Sequence, residues 1–359
     1  MSQRIEWIDC WKGLAIITVV VGHIVNPVSK YIFWFHMPLF FFISGYLYSK
    51  KTDYSAFFQK KCFHLLVPYF SFLFLFTLLQ YLPLIIDSWQ QKKISSIDKL
   101  IVFIIPVIWK QVYGGANLVL WFGVFWFVTC LFFTQQLYNL IYVKFGSNNW
   151  LMIKIMLGSY CLAMMNYFYL KNVVFPWNIN VVAMALPFYW LGHMAAKSFL
   201  INSKTLIFLI IGIIIFLTAM LLDTVSLLHL NFNMKSTSYG VLIVNVIIAL
   251  SGIIITQKLA LLLHNKPYIG TVLRELGSAS MIIMYLHQPI QITIKSYPIF
   301  AVQGISVIGT LVISYIIYKI IFNYSIMRQL FLGDFSTPNA KLSRTSASQS
   351  GLTQGIRKN

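Results

Sequence analysis

Long apolar stretches joined by short polar connections dominate the chain. A helix needs roughly 20 apolar residues to cross a bilayer, and ten runs come close to that length. They cover residues 8–28, 31–48, 63–86, 118–143, 151–170, 176–196, 205–222, 239–256, 276–294 and 300–324. The pattern predicts an all-α polytopic membrane protein, with about ten transmembrane helices in a single bundle over residues 1–325.

Two segments depart from this pattern. Residues 100–109 form an apolar run that is too short to cross a membrane and has lysines nearby, so we expect an interfacial or re-entrant helix there. Residues 326–359 are rich in Ser, Thr and Gly, with scattered Arg and Lys. This composition predicts a basic, disordered cytoplasmic tail.

Composition and charge agree with a membrane protein. The chain has 59% hydrophobic and 10% charged residues, whereas a soluble protein has about 25% charged residues. The net charge of +19 comes from Lys and Arg in the connections, which does not indicate a nucleic-acid partner. Their bias predicts that both termini lie in the cytoplasm, and we expect the protein in the plasma (inner) membrane. The scattered cysteines predict neither disulfides nor a metal site.

The first apolar stretch carries three ionisable residues, Asp9, Lys12 and His23. On a helix, Lys12 and His23 lie within about 20° of the same face and roughly 16 Å apart along the axis. One interpretation is an interfacial Asp9–Lys12 ion pair with a histidine hydrogen-bonded between helices. The other makes them a catalytic group in which His23 is the general base, because imidazole titrates near neutral pH.

A basic patch precedes the third span. Lys60 and His64 are four residues apart and share a helix face, with Lys61 beside them. The patch is typical of positive-inside charge or of contact with anionic lipid. It is equally consistent with a site for the phosphates of a nucleotide-like cofactor.

Three further residues are candidates for acceptor binding. His36 lies where the second predicted span begins, close to the end of the first, and Tyr285 and His287 lie deep in the ninth. Buried polar side chains of this kind suit a polyhydroxylated acceptor. For each of them a role in helix packing or at the membrane interface is an alternative.

Three motifs carry a resemblance to a known family: IDCWKGLAIITVVVGH, FHMPLFFFISGYLY and KKCFHLLVPY. In this order they resemble the membrane-bound acyltransferase 3 family, and within it the fucose 4-O-acetylase-like sugar O-acetyltransferases. The resemblance covers about residues 4–325 and makes His23 the essential histidine, with Lys12 in the place of an arginine. Lys60 and His64 stand where the family has two arginines, so the charge pattern departs from the bidentate fork that arginine offers.

The resemblance implies an enzyme that moves an acyl group, acetyl or another, from cytoplasmic acyl-CoA to a hydroxyl of a surface polysaccharide. No metal is expected. The expected partners are the lipid bilayer, a glycan or lipid-linked sugar acceptor, and machinery for polysaccharide synthesis or export. His23 either deprotonates the sugar hydroxyl or first accepts the acyl group itself. An exporter of glycan or lipid-linked sugar and a non-catalytic accessory subunit remain alternatives.

Overall fold

The computed structural model describes residues 6–90, 97–198 and 206–335. The first half contains seven α-helices and a π-helical turn, Cys62–Leu66, that joins the fourth to the fifth. These helices are α1 Glu6–Ile24, α2 Asn26–Phe33, α3 His36–Tyr46, α4 Tyr54–Lys61, α5 Val67–Gln90, α6 Ile97–Tyr113 and α7 Phe125–Phe145.

The second half contains eight more helices. They are α8 Asn149–Tyr169, α9 Val182–Ala196, α10 Leu206–Thr224, α11 Val244–Leu263, α12 Ile269–Ser278, α13 Ser280–Ile294, α14 Gln303–Asn323 and α15 Ser325–Leu332. Within the described residues the only strand-like pairing is one antiparallel bridge between Asn233 and Ser238.

The all-α polytopic fold is confirmed. In the described part of the chain, eight helices are long and apolar enough to cross a membrane, or up to nine when the bent pair α12–α13 is counted as one span. The predicted span 31–48 is instead divided between α2 and α3, and the predicted short helix at residues 100–109 lies within the longer α6. The predicted tail begins with α15, while residues 336–359 lie outside the described residues.

Helix α1 lies in the core of the bundle and contacts α2, α3 and α11–α14. Its closest partner is α12, because two glycines let the backbones touch. A side chain on Gly13 would meet the carbonyl of Leu273, and one on Gly277 would meet the carbonyl of Asp9. Close approach at small residues is a common way to pack helices in membranes, where apolar burial drives association only weakly. The position of α1, and of His23 at its end, therefore depends on this contact.

Two abrupt changes of direction shape the centre of the molecule. The chain reverses after α1 through the short α2, and α3 then packs along α9. The pair α12–α13 bends by 82° at Ala279. Both bends bring side chains from separate helices toward the last turn of α1.

Candidate active site

A cavity opens at the last turn of α1, with about 740 Å³ of empty space including its mouth. The side chain of His23 is exposed to this space although α1 lies inside the bundle. The wall is mostly apolar and aromatic, with a few polar groups. It comprises Val19, His23, Phe33, His36, Met37, Phe40, Gly123, Val124, Trp126, Phe127, Phe232, Asn233, Met234, Lys235, Met284 and Gln288.

Three histidines from three helices meet beside this cavity. The ring of His23 lies 5.1 Å from the ring of His287 and 6.5 Å from that of His36, measured between centroids. The reversal through α2 delivers His36, and the bend at Ala279 delivers His287. Two of the three predicted acceptor residues, His36 and His287, thus lie next to the predicted base.

The hydrogen bonds of the flanking rings define which nitrogen carries the proton. His36 Nδ1 lies 3.1 Å from the carbonyl oxygen of Ile32, and His287 Nδ1 lies 2.7 Å from that of Met284. A ring nitrogen this close to a carbonyl must be the N–H donor, so in each neutral ring Nε2 is the acceptor. Nε2 of His287 is buried and has no partner among the described residues. His23 therefore lies beside an imidazole that offers it a lone pair.

A lysine that the sequence interpretation missed completes the wall. Lys235 lies in the connection between α10 and α11, and its ammonium group donates to the carbonyls of Leu118 at 2.5 Å and Gly123 at 3.0 Å. Burial lowers the pKa of this lysine to about 8. Composition could not identify it, because a lysine between two apolar helices is ordinarily exposed. The available signal is the alternation of Leu230, Phe232 and Met234 with polar residues just before it, and these three side chains are buried.

Asp9 and Lys12 do not reach the cavity. They form an ion pair of 3.3 Å in the first turns of α1, and the helix is continuous from there to His23. Eleven residues of helix separate Lys12 from His23 by about 16 Å. Lys12 and His23 therefore lie on one continuous helix, as predicted, but they belong to different regions of the molecule.

Tyr285 lies behind the cavity rather than in its wall. Its ring stacks on that of Phe72, with 4.4 Å between the centroids, and meets the ring of Phe125 edge to face, with 5.1 Å between the centroids. Its hydroxyl is buried without a partner among the described residues, and so is the hydroxyl of Tyr69 on α5. Unpartnered buried hydroxyls cost stability, so they call for a ligand or water to explain them.

Lys60, Lys61 and His64 lie together around the π-helical turn, away from the cavity. Lys60 and His64 are exposed, and Lys61 is half-buried with its ammonium group over the ring of Phe57. His64 Nδ1 bonds the carbonyl of Gly333, just after α15. Helix α15, which belongs to the predicted tail, thus packs next to this basic patch. π-helical turns are frequent at functional sites.

No group of three or more His, Cys, Asp or Glu side chains in residues 6–90, 97–198 and 206–335 is arranged to hold a metal ion. The chemistry available at the cavity is that of imidazole and ammonium groups. Imidazole can take a proton from a hydroxyl, and a fixed ammonium group can hold negative charge.

The fold and the site define a polytopic membrane protein with a histidine-lined cavity inside its helical bundle. The acyltransferase 3 family model, described as an acyltransferase domain, matches residues 5–319. The chain belongs to this family and is a membrane acyltransferase. No curated protein and no solved structure matches the chain significantly. Family membership favours the enzyme over the exporter and the accessory subunit.

Proposed function

We propose that the protein transfers an acyl group, acetyl in the first instance, from cytoplasmic acyl-CoA to a hydroxyl of a surface polysaccharide sugar. The observation that carries this proposal is His23, a histidine exposed to a cavity inside the membrane bundle and flanked by the acceptor nitrogen of a second histidine. This arrangement suits removal of a proton from a hydroxyl by an unprotonated imidazole.

The reaction is a direct transfer. His23 takes the proton of the sugar hydroxyl while the oxygen attacks the thioester carbonyl carbon, whose carbonyl electron pair moves to oxygen. When the carbonyl re-forms, the carbon–sulfur bond breaks and the thiolate of CoA receives the proton from His23. The products are an ester and free CoA, and His23 returns to its neutral form.

The donor approaches from the basic patch. Lys60 and Lys61 offer cations for the CoA phosphates, and His64 lies beside them as a further polar group. Tyr69 follows His64 by five residues, at the start of α5. The buried hydroxyls of Tyr69 and Tyr285 then face the pantetheine chain, whose amides would satisfy them. Tyr285 in turn precedes His287 by two residues, next to His23.

The acceptor enters by the mouth of the cavity. The aromatic rings of Phe33, Phe40 and Trp126 line it and suit stacking against the apolar face of a sugar. His36 and the amide of Gln288 are the polar groups available for its hydroxyls, and Gln288 Oε1 is buried without a partner among the described residues.

Asp9 and Lys12 contribute from a distance in this proposal. Their ion pair and the contact of Asp9 with Gly277 set the start of α1. They act as positioning residues for the helix that carries His23, since about 16 Å of helix separates Lys12 from that ring. The proposed orientation places their end of α1 at the cytoplasmic face of the plasma membrane.

The test is His23→Ala in membrane vesicles supplied with labelled acetyl-CoA and the polysaccharide of the host. We expect acetyl transfer to fall by a factor of about 10²–10⁴, which is the usual contribution of a general base. His229→Ala is the matched control, because His229 is an exposed histidine in a connection. Transfer at the wild-type rate by His23→Ala, with equal protein in the membrane, would refute the assignment.

A second measurement identifies the group and the acceptor. Surface glycan purified from cells with and without the protein is compared by mass. A difference of one acyl group per repeat is expected, and its mass distinguishes acetyl from succinyl. Glycan that differs in amount but not in repeat mass would instead indicate an exporter.

A further inference from the structure

The connection between α10 and α11 folds back into the bundle instead of running over its surface. Phe232 and Met234 are 1% and 2% exposed, which is the burial of core residues. The bridge between Asn233 and Ser238 closes a tight turn whose tip carries Lys235. The chain therefore places a lysine in the wall of the cavity that contains His23.

Hydrogen bonds fix both the ammonium group and the backbone of Lys235. Its nitrogen donates to the carbonyls of Leu118 and Gly123, which precede α7. The backbone carbonyl of Lys235 accepts from the amide of Asn178 at 2.9 Å. An ammonium group has three N–H donors, and the third has no acceptor among the described residues. A donor held in place in this way costs no reorganisation when an anion forms beside it.

The charge of Lys235 meets no opposing charge in the cavity. The wall has no Asp or Glu, and the lysine lines the same cavity as His23. With its pKa lowered to about 8 by burial, the lysine is mostly protonated at neutral pH. An anion that forms next to His23 would find this cation already in place.

We propose that Lys235 is a further catalytic residue, whose ammonium group stabilises the oxyanion of the tetrahedral intermediate. This inference rests on the proposed acyl transfer. When the acceptor oxygen attacks, the electron pair of the thioester C=O moves to the carbonyl oxygen. That oxygen, now negatively charged, accepts a hydrogen bond from the third N–H of Lys235. When the carbonyl re-forms, the pair returns, the C–S bond breaks, and Lys235 is left unchanged and protonated.

The experiment compares Lys235→Met, which keeps the length of the side chain without its charge, with Lys235→Arg, which keeps the charge. Loss of one oxyanion donor lowers kcat by about 10²–10³-fold. We expect that loss for Lys235→Met, with little change in the KM for acyl-CoA or for the acceptor. We expect a smaller loss for Lys235→Arg. Lys171→Met is the matched control, because Lys171 is an exposed lysine in the connection after α8.

The pH profile gives a readout that a merely structural lysine would not move. The wild-type kcat should fall above about pH 8, as Lys235 loses its proton, and Lys235→Arg should keep its rate to higher pH. The other titratable groups facing this cation are His23 on α1 and His36 on α3, with His287 on α13 behind them. The segments 118–123 and 176–181 contribute none.

Three outcomes would overturn the inference. Lys235→Met with wild-type kcat would remove the lysine from the reaction. A lower kcat explained entirely by less folded protein in the membrane would give Lys235 a structural role only, holding its own connection against the segment that precedes α7. A raised KM confined to anionic acceptors would make it a specificity residue. Absence of transfer by the wild-type protein would refute the proposed function instead, so the two failures are distinguishable.

Discussion

At the scale of single residues, the two nitrogens of His287 have separate tasks. Nδ1 is bonded to a backbone carbonyl, and Nε2 is buried without a hydrogen-bond partner among the described residues. The centroid of this ring lies 5.1 Å from that of His23. Asparagine can replace the first nitrogen and glutamine the second, because their amide groups reach the δ and ε positions. This pair of substitutions separates the structural bond from the contact with the base.

We expect His287→Asn to keep the bond to the Met284 carbonyl and to lose about 10²-fold in kcat, because the acceptor nitrogen beside His23 is removed. His287→Gln keeps an oxygen near the Nε2 position and should retain more activity. Steady-state kinetics in vesicles measures both variants. Equal activity of the two would show that the orientation of His23 does not depend on Nε2.

Tyr69 gives a prediction in which stability and activity change in opposite directions. Its hydroxyl is buried and unpartnered among the described residues. Removal of such a group in Tyr69→Phe should leave the thermal midpoint in detergent unchanged or raise it, because no hydrogen bond is lost. The KM for acyl-CoA should rise about fivefold to tenfold, since one hydrogen bond is worth roughly 1 kcal/mol.

Tyr268→Phe is the control for this measurement, because Tyr268 is an exposed tyrosine at the start of α12. An unchanged KM in Tyr69→Phe would move the donor path away from α5. A lower thermal midpoint with unchanged KM would assign the hydroxyl a structural bond instead.

The sequence predicted the site residues unevenly, and the reasons are physical. An imidazole inside an apolar helix is conspicuous because it is costly there, so the sequence singles out His23, His36 and His287, which the fold then brings together. It does not single out Lys235, because a lysine in a connection between spans is unremarkable until the fold turns it inward. The sequence predicts Tyr285 as an acceptor residue together with His287, yet residues two apart on a helix face different directions. The ring of Tyr285 lies against Phe72 and Phe125.

At the scale of elements, the contact between α1 and α12 controls the site. In Gly277→Ala the new methyl group would overlap the carbonyl of Asp9. The helices must separate, at a cost of about 1–3 kcal/mol for overpacking, and His23 moves with α1. We expect a lower thermal midpoint in detergent together with reduced transfer.

Gly158→Ala is the matched control for this contact. Gly158 lies within α8, and a side chain there would meet nothing within 4 Å. Alanine is the better helix former, so this variant should be as stable as the wild type or slightly more stable. If Gly277→Ala behaved like Gly158→Ala, close packing of α1 on α12 would not be what holds the helix in place.

Two of the predicted elements are wrong because the chain changes direction inside an apolar run. Hydropathy gives one continuous segment at residues 31–48, but Pro27 starts a short helix and the chain breaks between α2 and α3. It also gives a straight span at residues 276–294, whereas the helix axis turns by 82° at Ala279. An average over a window of residues cannot detect such bends, and in both cases the bend creates the site.

At the scale of the whole molecule, charge is distributed between two ends. Basic residues gather at the Lys12 end, where contacts within the structure connect Arg274 with Glu6 and Lys319 with Glu275. The His23 end has fewer, among them Lys30, which pairs with Asp223. The positive-inside rule predicts that the Lys12 end is cytoplasmic. Acyl-CoA would then reach the basic patch from the compartment that contains it.

The bent pair α12–α13 provides the sharpest test of this topology. If it crosses the membrane as one broken span, residues just before and just after it lie on opposite sides. Asn265 and Ser296 are exposed in these two connections. In a Cys161→Ser background, which removes the exposed cysteine, we expect Ser296→Cys to react with a membrane-impermeant maleimide in intact cells. Asn265→Cys should react only after permeabilisation.

Each other outcome of the labelling experiment has a definite meaning. Labelling of both cysteines from outside would make α12–α13 a re-entrant loop. His287 would then lie on a segment that does not cross the membrane. Labelling of Asn265→Cys alone would invert the molecule and place the basic patch outside, out of reach of cytoplasmic acyl-CoA. Because the donor path requires the basic patch inside and the mouth of the cavity outside, this topology is the condition on which the proposed reaction depends.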